Sequence, residues 1–113
     1  MNKKRTSDEL FLALTTEANQ SLAETLAQKL LQRRLAVCIT LQKVQSHYWW
    51  QDELQKEEEV QLLIKTTEDQ LEMLNYAIEE LHSYETPEWI YWSAVSGASY
   101  GAWVKGVMSS KCM

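Results

Sequence analysis

Strict alternation marks the middle of this chain. Between residues 59 and 66, Val60, Leu62, Ile64 and Thr66 point one way while Glu59, Gln61, Leu63 and Lys65 point the other. That is the period of a strand with one buried face. Just upstream stand three aromatics in a row, Tyr48-Trp49-Trp50, followed by a polar break, Gln51-Asp52-Glu53. The pattern predicts a long antiparallel hairpin turning at that break. Large aromatics near its tip are more than one small domain can cover, so the missing cover is expected from other copies of the chain.

The flanking periodicities supply the other elements. Residues 10–15 are a short apolar run that reads as a central strand, and Thr16-Glu17-Ala18-Asn19 reads as its exit loop. Over 21–34, Leu22, Leu26 and Leu30 recur at i, i+4 and i+8 beside Ala23, Ala27 and Leu31, an amphipathic helix. Residues 35–41 turn β-branched and apolar and lead into the aromatic arm. A second helix is expected to begin at Thr67, whose spacing to Gln70 matches a capping box. Leu71, Leu74, Ile78 and Leu81 form its buried stripe, His82-Ser83-Tyr84 closes it, and Pro87 prevents its continuation. A strand over 89–95 and a short helix over 100–108, carrying Trp103, Val104 and Val107, complete the series. The order is βαββαβ with an appended C-terminal helix. An α+β, ferredoxin-like sandwich with two helices on one face of an antiparallel sheet is the natural solution. The 113 residues read as one domain, with 1–8 and 109–113 as flexible tails.

Composition sharpens this in three places. Apolar residues at 45% and charged residues at 24% describe a globular chain. Five Trp and five Tyr against one Phe favour surfaces that are packed on one side and wet on the other, as at subunit interfaces. A net charge of −5 argues against a nucleic-acid partner, since Lys3-Lys4-Arg5 and Arg33-Arg34 build no stripe along phosphates. The apolar run at 10–14 is too short for a secretory signal or a membrane span, which points to a cytoplasmic protein. Cys38 reads as a small core residue and Cys112 as a free thiol; neither has zinc-ligand spacing.

Enzyme signatures are lacking, because no spacing sets a nucleophile beside a base. Glu57-Glu58-Glu59 reads as a solvated strand start or, alternatively, a cation site. His82 ends a helix, where the macrodipole favours a cationic or metal-bound imidazole, and Glu85 and Glu88 follow in the loop. Capping or packing is the competing role for that imidazole. Tyr48-Trp49-Trp50 with Trp89, Tyr91 and Trp92 fits either interface packing or a ligand cage.

Taken in order, several segments resemble the CutA divalent-cation tolerance proteins. Arg34-Leu35-Ala36-Val37-Cys38 is similar to the family's "LAAC", Ser46-His47-Tyr48-Trp49-Trp50 to its "SxYxW" arm, and the 59–67 stretch to "EVxLLIKT". His82-Ser83-Tyr84-Glu85-Thr86-Pro87-Glu88 resembles "HPYxxPE", and Tyr100-Gly101-Ala102-Trp103 the late "YxxW". The resemblance implies a non-enzymatic, tight homotrimer in which the long hairpins pair across subunits. It implies a role in divalent-cation, chiefly copper, tolerance. It also implies an inter-subunit surface formed by Tyr48, Trp49, Trp50, Glu59, Lys65, Tyr84 and Trp89. Where relatives proposed to bind copper carry a Cys and two successive histidines, this chain has Thr15 and Leu81-His82, which removes soft ligands. Only His82 carries over as a ligand; with Glu85 or Glu88 of the following loop it is the expected metal set, holding copper or zinc weakly, shared between subunits. Ser83 replaces the usual Pro, and Asp52 is expected to adopt the left-handed turn conformation in place of Gly. The trimer's likeness to PII signalling proteins carries the alternative of a sensor that binds a small metabolite between subunits.

Overall fold

The computed structural model describes residues 9–109. The expected tails at 1–8 and 110–113, with Cys112, lie outside the described residues. The elements are β1 (Glu9–Glu17), α1 (Gln20–Gln32), β2 (Cys38–Trp50), β3 (Glu53–Thr66), a 3₁₀ turn (Glu68–Gln70), α2 (Leu71–Leu81), β4 (Ile90–Val95) and α3 (Ala98–Ser109). Ser109, expected in the tail, is the last residue of α3. The strands form one sheet in the order β2-β3-β1-β4, with every neighbouring pair antiparallel. Each helical crossover skips one strand, which is the split-βαβ arrangement.

Register decides which residues make the core. Ala13 opposes Ile64, Thr15 opposes Leu62 and Glu17 opposes Val60, while Ile39 and Leu41 pair with Ile64 and Leu62. This face carries α1 and α2, through Ala23, Leu26, Ala27 and Leu30 of the first helix and Leu74, Ala77 and Ile78 of the second. Leu22 and Leu31, expected on the buried stripe, stay over a third exposed, because that stripe is centred on the small alanines. Asn19 caps α1 by accepting from the Leu22 amide at 2.9 Å. The helix stops at Gln32, two residues short of the expected end. Leu35 N–H donates to Leu30 O and Arg34 N–H to Leu31 O, a Schellman closure that puts Arg34 at φ 59°.

Leu10 lies three residues before Ala13 and so faces the other side, where it packs with Val37 and with Val104 and Met108 of α3. The rest of that face is open. Leu12 and Leu14 of β1 oppose Trp92 and Ile90 of β4, which are 39% and 51% exposed.

Three sequence expectations need correction. β1 does not end at Thr15: Thr16 and Glu17 pair with Gln61 and Val60, because β3 continues to offer them ladder partners. The hairpin turn is two residues, not three, since Glu53 already pairs with Trp50. Gln51 (φ 51°) joins Asp52 (φ 66°) in the left-handed region, as a two-residue turn of the I′ class requires. The Thr67 capping box does not form. Gln70 N–H reaches the Thr67 carbonyl at 3.1 Å in the 3₁₀ turn, α2 starts only at Leu71, and the buried Thr67 hydroxyl has no partner among the described residues.

Candidate functional site

β2 and β3 outrun the sheet. β1 leaves β3 at the Glu17–Val60 pair, so from Val44–Glu59 to Trp50–Glu53 the two strands run on as a bare ribbon. The segment 82–88, leaving α2, crosses the end of β1 at the root of this ribbon. Side chains from all three meet there around a groove of about 900 Å³.

Buried polar groups fix that crossing. His82 caps α2, its amide donating to Ile78 O at 3.0 Å. Its Nδ1 accepts from the Tyr84 amide at 3.0 Å, and its Nε2 lies 2.8 Å from Thr16 O and 3.0 Å from Thr15 Oγ1. An amide can only donate and a carbonyl can only accept, so the proton sits on Nε2 and the Nδ1 lone pair is engaged. The 3.5 Å approach of Nδ1 to Glu17 Oε2 is therefore proximity and not an ion pair. Glu17 is 1% exposed and holds the next residue twice, accepting from the Ser83 amide at 3.2 Å and from the Ser83 hydroxyl.

On the groove side, tyrosines orient carboxylates. Tyr84 donates its hydroxyl to Glu59 at 2.6 Å, and Tyr48 donates to Glu57 at 2.9 Å. Burial, the bond to Glu59 and the nearby charges of Glu59, Glu57 and Glu17 push the Tyr84 phenol well above its ordinary range. Tyr48 is raised chiefly by its bond to Glu57.

The structure thus gathers Tyr48, Trp50, Glu59, Tyr84, Glu85 and Glu88 on one groove. It separates the rest. Trp49 alternates to the opposite face of the ribbon beside Leu54, where each is 69% exposed. Lys65 lies on the sheet beside Cys38, with Nζ 3.9 Å from the sulfur. Trp89 is tied to α2 through Asn75, donating at 2.8 Å, and packs at the margin of the main core. Within one chain, His82, Glu85 and Glu88 form no set able to hold an ion, and no such group of three occurs among the described residues. Both His82 nitrogens are already committed, and Thr15 offers a hydroxyl and not a thiolate.

Sequence reasoning missed Glu17, read as a loop residue, and the carboxylate–hydroxyl pair it makes with Ser83. The signal available was the even spacing of Ala13, Thr15 and Glu17, which keeps all three on one strand face. No helix among the described residues is long and apolar enough to cross a membrane.

Comparison with known proteins fits this architecture. The Escherichia coli protein named divalent-cation tolerance protein CutA is 31% identical over 106 residues, covering 92% of this chain and 95% of its own length. The Pyrococcus horikoshii protein of the same name is 35% identical over 78 residues, covering 69% of this chain and 76% of its own. Among solved structures, CutA from Synechococcus elongatus superposes with a TM-score of 0.86 at 32% identity, covering 89% of this chain and 91% of that one. The family model for the CutA1 divalent ion tolerance protein matches residues 11–107, and the chain belongs to that family.

Proposed function

We propose that this chain works as a non-catalytic homotrimer in divalent-cation tolerance, with the open sheet face as the surface that copies of the chain cover. One observation carries the reading. Ile90 and Trp92 stand exposed against Leu14 and Leu12 on a sheet whose other face carries α1, α2 and the main core. An apolar sheet face of this kind, beside a bare ribbon with open edges, favours self-association. The relatives named as divalent-cation tolerance proteins supply the process. Copper and zinc are the ions of interest, but the hydrogen bonds at His82 argue against a chelating role for its imidazole. The response to such ions is then indirect, through a small ligand.

The groove favours that second element, a sensor-like site in the manner of PII proteins. Its volume of about 900 Å³ is in the range of small-molecule sites. The test is growth in excess copper or zinc of cells lacking the protein. Supplying the wild-type chain is expected to restore tolerance, and Ile90→Asp, which charges the open face, is expected to fail. Equal growth with and without the chain would overturn the assignment.

A further inference from the structure

A smaller hollow, about 320 Å³, lies at the end of the sheet away from the ribbon root. It is enclosed by the start of β1, the 3₁₀ turn and the end of α3, and no residue of the open face or of the ribbon lines it. Phe11 opposes Thr66 in the ladder, so Glu9 lies past the end of β3, level with the 3₁₀ turn. Glu9 is itself part of the wall, and residues 1–8 therefore join the chain at this hollow in any assembly.

We propose that the hollow receives the chain's own basic segment, Lys3-Lys4-Arg5, folded back as a strap across the 3₁₀ turn. Charge supplies the match. Glu9, Glu68 and Asp69 set three carboxylates on the wall against one ammonium, Lys105. None of the three is in an ion pair among the described residues. Arg34, the cation at the end of α1, is spent on the Val107 carbonyl at 3.4 Å. Acids ahead of a helix complement its dipole, which accounts for Glu68 and Asp69 alone; Glu9 is on a strand and has no such reason to be there. Residues 1–8 carry Lys3, Lys4 and Arg5 against Asp8.

Reach and burial agree with charge. Arg5 stands four residues before Glu9 and Lys3 six, an extended span of about 13–22 Å, ample for a hollow of this size. Thr67 also lines the hollow, only 5% exposed, and its hydroxyl has no partner among the described residues. A backbone laid across the turn brings amides and carbonyls to that orphaned group. The other occupants fit less well. An anion would meet three carboxylates with one lysine to offset them. A free basic peptide would compete with a segment tethered through Thr6-Ser7-Asp8, whose local concentration is of the order of millimolar.

The test uses the full chain. Carbodiimide joins an amine to a carboxylate where the two touch, so peptides linking Lys3 or Lys4 to Glu68 or Asp69 are expected. Natural and ¹⁵N-labelled chains, unfolded and refolded as a mixture, show which copy holds the strap: links within one isotope place it in its own hollow. Amide exchange across residues 3–8 is expected to quicken about tenfold in Glu68→Gln/Asp69→Asn, the size that a few exposed ion pairs supply together. Lys3→Glu/Lys4→Glu should match that variant. Combined with Glu68→Lys/Asp69→Lys it should regain slow exchange, which a merely destabilised turn would not. Links between isotopes overturn docking within one chain and make the hollow a contact between copies. Equal exchange in the wild type and both one-sided variants, without links, overturns the strap.

Discussion

The two faces of the sheet are built from the same strands and end in opposite conditions. On one, Ala13, Leu62 and Ile64 are fully buried beneath α1 and α2. On the other, α3 covers only the Leu10 end, and Ile90 and Trp92 remain in water. The open side is more polar on β3, through Gln61 and Lys65, yet apolar where β1 meets β4. A chain that placed tryptophan and isoleucine at consecutive outward positions of β4 is specifying a surface for contact, not for solvation.

That contrast can be broken by substitution, starting from the covered side. Leu62→Ala removes a fully buried side chain of the core that α1 and α2 cover and should cost about 2–5 kcal/mol in denaturant unfolding. Trp92→Ala is the matching change on the open side. Truncating a buried tryptophan costs about 3–5 kcal/mol, so the melting temperature should fall, and fall further on dilution, if copies of the chain bury it. If Trp92→Ala melts like the wild type, that face is free. Glu17→Ala tests the crossing at the ribbon root. It leaves the Ser83 amide and hydroxyl without their acceptor, at a cost of about 1–3 kcal/mol, read as lower stability with faster amide exchange at Ser83 and Tyr84. The smallest effect belongs to the turn. Gln51→Asn with Asp52→Gly supplies residues suited to positive φ and should raise stability by about 1 kcal/mol. A loss there would mean that the tip is held by contacts beyond its own backbone.

Much of the covered half was legible from sequence. Val60, Leu62, Ile64 and Thr66 are the buried positions of β3, and Leu74 and Ile78 are buried in α2 beside Ala77, with Leu71 and Leu81 only partly covered, because alternation and helical period are local signals. The groove was only half legible. Tyr48, Trp50, Glu59, Tyr84, Glu85 and Glu88 were named and do meet, but Glu17 was not. Thr-Glu after an apolar run has loop composition, and its burial comes from a partner 66 residues away. The same distance hid the state of His82. Its position at a helix end was plain, yet only Thr15 and Thr16 across the sheet show that its Nε2 is a donor to the backbone. Thr67 misled for the opposite reason. Its capping pattern was locally complete, and a 3₁₀ turn displaced the start of α2 to Leu71.

Sedimentation equilibrium of the full chain at micromolar concentration puts the central idea at most direct risk. Trimeric closure over Ile90 and Trp92 predicts a folded species of three times the 13.2 kDa chain mass. A well-folded species of 13.2 kDa, stable on dilution, would contradict it.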